Sequence, residues 1–178
     1  MDGVRFAALI VTLALSLAGC SGGAASGPQP VPASSASGPP VSFSYEALSG
    51  KPLSTETVAG RVTVIGFIAT YDLHSQAEVR FLTSLGRRHT PRINVAFLVL
   101  EAQENRPLIE AFVASLGITD PVAIADADTI AGKGPFAGLH HVPSVVILDQ
   151  RGREVWRHLG IVQEGELEQA VRAVEGSR

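Results

Sequence analysis

The amino-acid sequence predicts an α/β domain: a mixed central sheet flanked by helices, entered through an N-terminal β-hairpin. Three observations lead there. Val62 to Ile68, Ile93 to Leu100 and Val145 to Leu148 are nearly continuous apolar and β-branched runs, the pattern of strands covered on both faces. Between the runs stand segments whose apolar residues recur at helical spacing. The last strong run turns back through Asp149-Gln-Arg-Gly152 into a partner strand, so the sheet is not parallel throughout.

Taken in order, Val41-Ser-Phe-Ser-Tyr45 alternates apolar and polar, as a half-buried strand does, and Ser49-Gly-Lys-Pro52 supplies turn chemistry. The first central strand, Val62 to Ile68, leads into a helix from Ser75 to Arg88 with Val79, Leu82 and Leu85 on one face. Asp72 and Ser75 are candidate caps, and Ser75-Gln-Ala-Glu78 fits a capping box. After the strand Ile93 to Leu100, Pro107 opens and Gly117 closes a helix over Leu108 to Leu116. Val122 to Ala125 is a short strand, and Asp128 to Phe136 holds a brief helix or turn. The hairpin partner runs from Glu154 to His158 and the final helix from Glu164 to Val174. His89 and His158 are expected at the surface, and Trp156 against the sheet.

The 178 residues suffice for one domain with tails. A formal net charge of -3, with no basic run, argues against a nucleic-acid partner. The single cysteine, Cys20, cannot form a disulfide within the chain.

Residues 1–19 form an export signal: Arg5 precedes an apolar run from Phe6 to Leu17, shorter than the ~20 residues a bilayer span requires. The run ends in Leu17-Ala18-Gly19-Cys20, which resembles the lipobox of bacterial lipoproteins. That resemblance implies cleavage before Cys20 and acylation of its sulfur and new amine. Several acyl chains, at ~0.8 kcal/mol per buried methylene, anchor stably where one is marginal. By the same resemblance Ser21, in place of an inner-membrane retention aspartate, favours the outer membrane, facing the periplasm, in a Gram-negative cell. Residues 20–40 continue as a Ser-, Gly-, Ala- and Pro-rich tether that cannot bury enough apolar surface to order itself. The domain is expected over 41–178.

Within it, Val64-Ile-Gly-Phe-Ile-Ala-Thr-Tyr71-Asp72-Leu-His74-Ser75-Gln-Ala-Glu78 resembles the strand-to-helix segment of membrane-anchored thioredoxin-like proteins of the TlpA and ResA type. His141-Val142-Pro143-Ser144 and the strand running on to Asp149-Gln-Arg-Gly152 resemble the family's Gly-Val-Pro-Thr, strand, Asp-x-x-Gly stretch. Phe43 to Gly60 is similar to its N-terminal hairpin. The resemblance implies a thioredoxin-like fold, with Leu108 to Phe136 as the family's insertion and Pro143 as the cis-proline facing the active-site helix.

Asp72 and Ser75 stand where the family has its Cys-x-x-Cys cysteines, and Tyr71 stands where it has tryptophan. Thiol–disulfide exchange needs a thiolate to attack a disulfide sulfur. A carboxylate and a hydroxyl form no mixed disulfide, so the family's oxidoreductase chemistry is excluded by valence and no catalytic residue is assigned. The resemblance also implies that the residue before the proline, Val142, offers its backbone to an extended segment. The leading expectation is therefore a redox-inactive module at the cell envelope that binds an exported protein or peptide through Tyr71, Val142 and Pro143, without a cofactor. The alternative is a zinc or copper site built from Asp72, His74, His140 and His141, since imidazole and carboxylate suit those metals. No ligand spacing in the sequence is diagnostic of it, and Asp72 has a simpler role as a helix cap. Asp72, His74 and Ser75 lie too close in sequence to supply a nucleophile, base and orienter. Gly132-Lys-Gly134 lacks the spacing of a phosphate loop.

Overall fold

The computed structural model describes residues 38–177; the leader, Cys20 and nearly all of the tether lie outside the described residues. A five-stranded sheet forms the centre: β3 (Val62–Ile68), β4 (Ile93–Val99), β5 (Val122–Ile124), β6 (Ser144–Leu148) and β7 (Glu154–Leu159), in the order β5-β4-β3-β6-β7. β3 pairs parallel with β4, and β4 with β5, while β6 and β7 run antiparallel. A small hairpin of β1 (Ser44–Tyr45) and β2 (Leu53–Ser54) precedes the sheet, as the sequence predicts. Among the described residues, no helix is long and apolar enough to cross a membrane.

Every residue of β3 is buried, which explains its unbroken apolar run. The two-residue period of a strand sends its side chains to two cores. Val62, Val64 and Ile68 meet Val79, Leu82 and Leu85 of helix α2 (Leu73–His89), together with Ile109 and Phe112 of α3 (Arg106–Leu116). Helix α5 (Glu164–Gly176) adds Leu167, Val171 and Val174 to that layer. Ile65 and Phe67 point the other way, to Phe43, Tyr45, Phe136 and Leu139. Phe136 closes this second core edge-on against Phe67, with ring centroids 5.2 Å apart.

Gly66 sets how close α2 approaches. A Cβ there would fall 2.6 Å from Leu82 Cδ1 and 3.1 Å from Phe97 Cδ1, so a larger residue would have to push those core side chains aside. The segment expected to hold a brief helix or turn contains a four-residue helix, Ala127–Ile130, and a 3-10 turn, Gly134–Phe136. Asp126 caps the helix by accepting from the Thr129 N–H at 2.8 Å.

Two expectations are corrected. His89 is not a surface residue: it is 4% exposed, its two ring nitrogens held by Glu168 (2.9 Å) and Glu175 (3.0 Å) of α5. Those partners lie about eighty positions away, where no local pattern reveals them. The capping box does not form at Ser75 either. Ser75 is the third residue of α2, and Glu78 is buried within the helix face rather than reaching back to its start. Trp156 packs on the sheet as expected, and His158 stacks on its ring at 5.8 Å, half-buried rather than exposed.

Candidate functional site

Three loops gather where β3 ends. The first, Ala69 to Asp72, joins β3 to α2. Asp72 has extended backbone and caps the helix: its Oδ2 accepts from the Ser75 N–H at 2.7 Å. The same oxygen accepts from the Ser75 hydroxyl at 2.8 Å, and the Ser75 Oγ accepts from the Ala69 N–H at 3.2 Å. Ser75 is fully buried. Asp72 and Ser75, which the sequence resemblance sets at the thiol positions, are thus joined to each other by a hydrogen bond. Burial pushes the Asp72 carboxyl up, but the hydrogen bonds from Ser75 and the His74 N–H, with the nearby His74 ring, outweigh it and hold the group below the usual carboxylate range. The loop is fixed from its other side by Glu101, whose Oε1 accepts from the Thr70 N–H and whose Oε2 accepts from Asn105 Nδ2.

The second loop runs from His140 to Pro143, and Val142–Pro143 is cis. β6 meets β3 with Ser144 opposite Phe67, which brings this loop to the end of β3 where the first loop begins. Val142 is half-buried against the second core, yet no backbone hydrogen bond reaches it among the described residues. At the same end of β3, the start of α2 presents Tyr71 and Leu73, each 75% exposed. Large apolar groups that exposed side by side are unusual away from a contact surface.

The third loop, Gly160 to Gln163, joins β7 to α5. The Gly160 N–H donates to the Pro143 carbonyl at 2.9 Å, tying this loop to the second. On its other side Val162 faces α2, where Glu78 is 2% exposed and its Oε1 has no partner. Burial drives the Glu78 carboxyl up to about 7, with the Val162 N–H pulling weakly in the opposite direction. Ile161, half exposed, sits between the two ties.

The structure places Tyr71, Asp72 and Ser75 just beyond the end of β3, and Val142 and Pro143 in the loop that enters β6 at that same end. It does not assemble the proposed metal ligands. His74 Nδ1 lies 3.4 Å from Asp72 Oδ1, and the His140 and His141 rings lie 4.1 Å from each other. Among the described residues, however, no three His, Cys, Asp or Glu side chains converge as a metal would require. Ser75 is no nucleophile, being inaccessible and bonded on both sides. Sequence reasoning missed Glu78 as a buried acid, Glu101 as the brace of the first loop, and the third loop altogether. A carboxylate in the sequence between apolar helix positions was the one available signal for Glu78.

No protein-family model matches the chain, and no curated protein does. Solved structures do. A putative thiol:disulfide interchange protein DsbE from Chlorobium tepidum is similar over 78% of this chain and 97% of its own, with a TM-score of 0.66 at 19% identity. A DsbF homologue from Corynebacterium diphtheriae covers 75% of this chain and 85% of its own, with a TM-score of 0.65 at 20% identity. A putative thioredoxin from Neisseria meningitidis gives 0.64 at 18% identity, over 79% of this chain and 93% of its own. With the hairpin, the mixed sheet and its flanking helices, these likenesses establish that the domain has the thioredoxin-like fold.

Proposed function

We propose that this chain is a lipid-anchored protein of the bacterial envelope whose thioredoxin-like domain binds an extended segment of an exported polypeptide, without thiol chemistry. The observation that carries this reading is the backbone of Val142, unpaired among the described residues, at the same end of β3 as the exposed Tyr71 and Leu73. An extended segment laid there gains main-chain hydrogen bonds from Val142 and apolar contact from the two side chains. The Asp72–Ser75 hydrogen bond supports binding over turnover, because it fills the thiol positions with a finished helix cap. Anchoring through Cys20, with the outer membrane favoured, rests on the lipobox-like end of the leader.

The test is site-directed photo-crosslinking in intact envelopes. A crosslinker replacing Tyr71 or Leu73 is expected to trap a discrete partner, and one replacing Arg106, on α3, to trap none. Val142→Asp in a folded protein is expected to abolish the Tyr71 adduct. Adducts that survive Val142→Asp, or that form equally from Arg106, overturn the reading.

A further inference from the structure

The opposite end of β3 carries a second feature that the groove does not use. A hollow of about 770 Å³ opens there, ringed by the guanidinium groups of Arg61, Arg88, Arg92 and Arg172. Two carboxylates, Glu168 and Glu175, also line it; both bond the buried His89 and reach the ring arginines as well, Glu168 to Arg88 and Arg172 and Glu175 to Arg92. The His89 hydrogen bond, more than those from Arg172 and Arg88, holds Glu168 far below its ordinary value, at about 2.

Four arginines thus meet three carboxylates, Glu164 included, and the excess charge is positive. The Arg92 and Arg172 side chains are 62% and 71% exposed, and Glu164 pairs with Arg88 from beyond the rim. Among the described residues Arg61 has no ion-pair partner, only a 3.5 Å contact with Asn94 Oδ1. An overall acidic chain therefore presents one guanidinium-rich face, and planar forks of this kind suit phosphate oxygens.

The placement of that face identifies its partner. The Gly60 N–H donates to the Gln150 carbonyl on the rim, and the Val41 N–H donates to the Gly152 carbonyl two residues further on. The chain thus enters the domain beside the hollow. Twenty residues of sequence separate that entry from Cys20. The groove lies at the far end of β3, about 20 Å away along seven residues of strand.

We infer that the arginine-ringed face docks on the phosphate headgroups of an anionic membrane, so that the binding groove points away from the surface. This rests on the anchored reading for its placement near a bilayer. A short leash with a basic patch is the two-signal arrangement that makes membrane attachment firm.

The experiment measures partition of the full chain onto vesicles of phosphatidylcholine alone and of phosphatidylcholine with phosphatidylglycerol at about 3:1. Binding to the neutral vesicles reports the anchor, and the additional affinity for the anionic ones reports the face. Arg61→Ala with Arg172→Ala is expected to lower the anionic increment on the order of twentyfold, about fivefold for each arginine, and to leave neutral binding unchanged. Each single substitution, Arg61→Ala or Arg172→Ala, is expected to lower the increment about fivefold, and Arg106→Ala, the same charge change on α3, to preserve it. A thermal melt confirms that each variant is folded. An increment indifferent to the double substitution overturns the proposal. So does an increment abolished by millimolar inorganic phosphate at matched ionic strength, which would mean a site for a soluble anion. Failure of the anchor reads out separately, as an intact mass without acyl chains.

Discussion

Glu78→Gln isolates the cost of keeping a carboxyl group buried under α2. In the folded chain this group is 2% exposed with Oε1 unpartnered, and it titrates at about 7 against an ordinary 4.5. The folded state therefore holds a proton that the unfolded state has already released between those two values. Stability must fall as pH rises across that window, by ~1.4 kcal/mol per unit at the steepest. Below the window both states are protonated and the group contributes nothing; above it the loss levels off at roughly 3 kcal/mol. Glutamine keeps the shape and a carbonyl for the Val162 N–H, and it cannot ionise. Its difference from the parent should be small and constant in acid, then grow in favour of the variant up to about pH 7. Urea unfolding of both proteins at several pH values measures this. With a slope of about 2 kcal/mol per molar urea, the gap between midpoints should widen by on the order of 1–2 M. Every other titrating group, including Glu168 with its opposite, acid-side dependence, is common to both proteins and cancels. Parallel midpoint curves from pH 4.5 to 8 would refute the assignment of Glu78 as a buried acid.

Further outcomes are expected elsewhere. Asp72→Ala removes the cap of α2 and leaves the buried Ser75 hydroxyl without its acceptor, so unfolding should become easier by about 1–2 kcal/mol, read by chemical denaturation. Asp72→Asn, which can still accept from Ser75, should recover most of that loss. Calorimetric titration with zinc and then copper(II) is expected to give no stoichiometric heat that His74→Ala and His140→Ala abolish; such a heat would restore the metal reading. Protein recovered from membranes is expected to carry acyl mass on an N-terminal Cys20, and Cys20→Ala is expected to abolish that modification.

Much of the fold was legible because its signals are local. β3 reads as a doubly covered strand from seven consecutive residues, and the paired cores on its two faces follow from a period of two. The corner of the site was legible for a different reason: Tyr71, Asp72, Ser75, Val142 and Pro143 fall within two short stretches that resemble a known pattern. What stayed hidden depends on residues far apart in the chain. His89 looks like any helix-end histidine until α5 folds back with Glu168 and Glu175. Glu78 fits a capping box by spacing alone, but Asp72 starts the helix three residues earlier and turns Glu78 inward. Gly160 to Gln163 carries no motif; its importance comes from touching both Pro143 and α2.

The hydrogen bond between Asp72 and Ser75 bears on how the protein could serve a cell. A dithiol site exists in two covalent forms, and its readiness depends on a partner that resets it after each encounter. Here the same two positions have a single form, closed by a contact of 2.8 Å that neither oxidant nor reductant alters. A domain built this way needs no electron supply and cannot be exhausted by use. Under the binding function proposed above, its output is governed by how many copies are present and how long each one holds on, so its abundance relative to its partner becomes the quantity a cell must control.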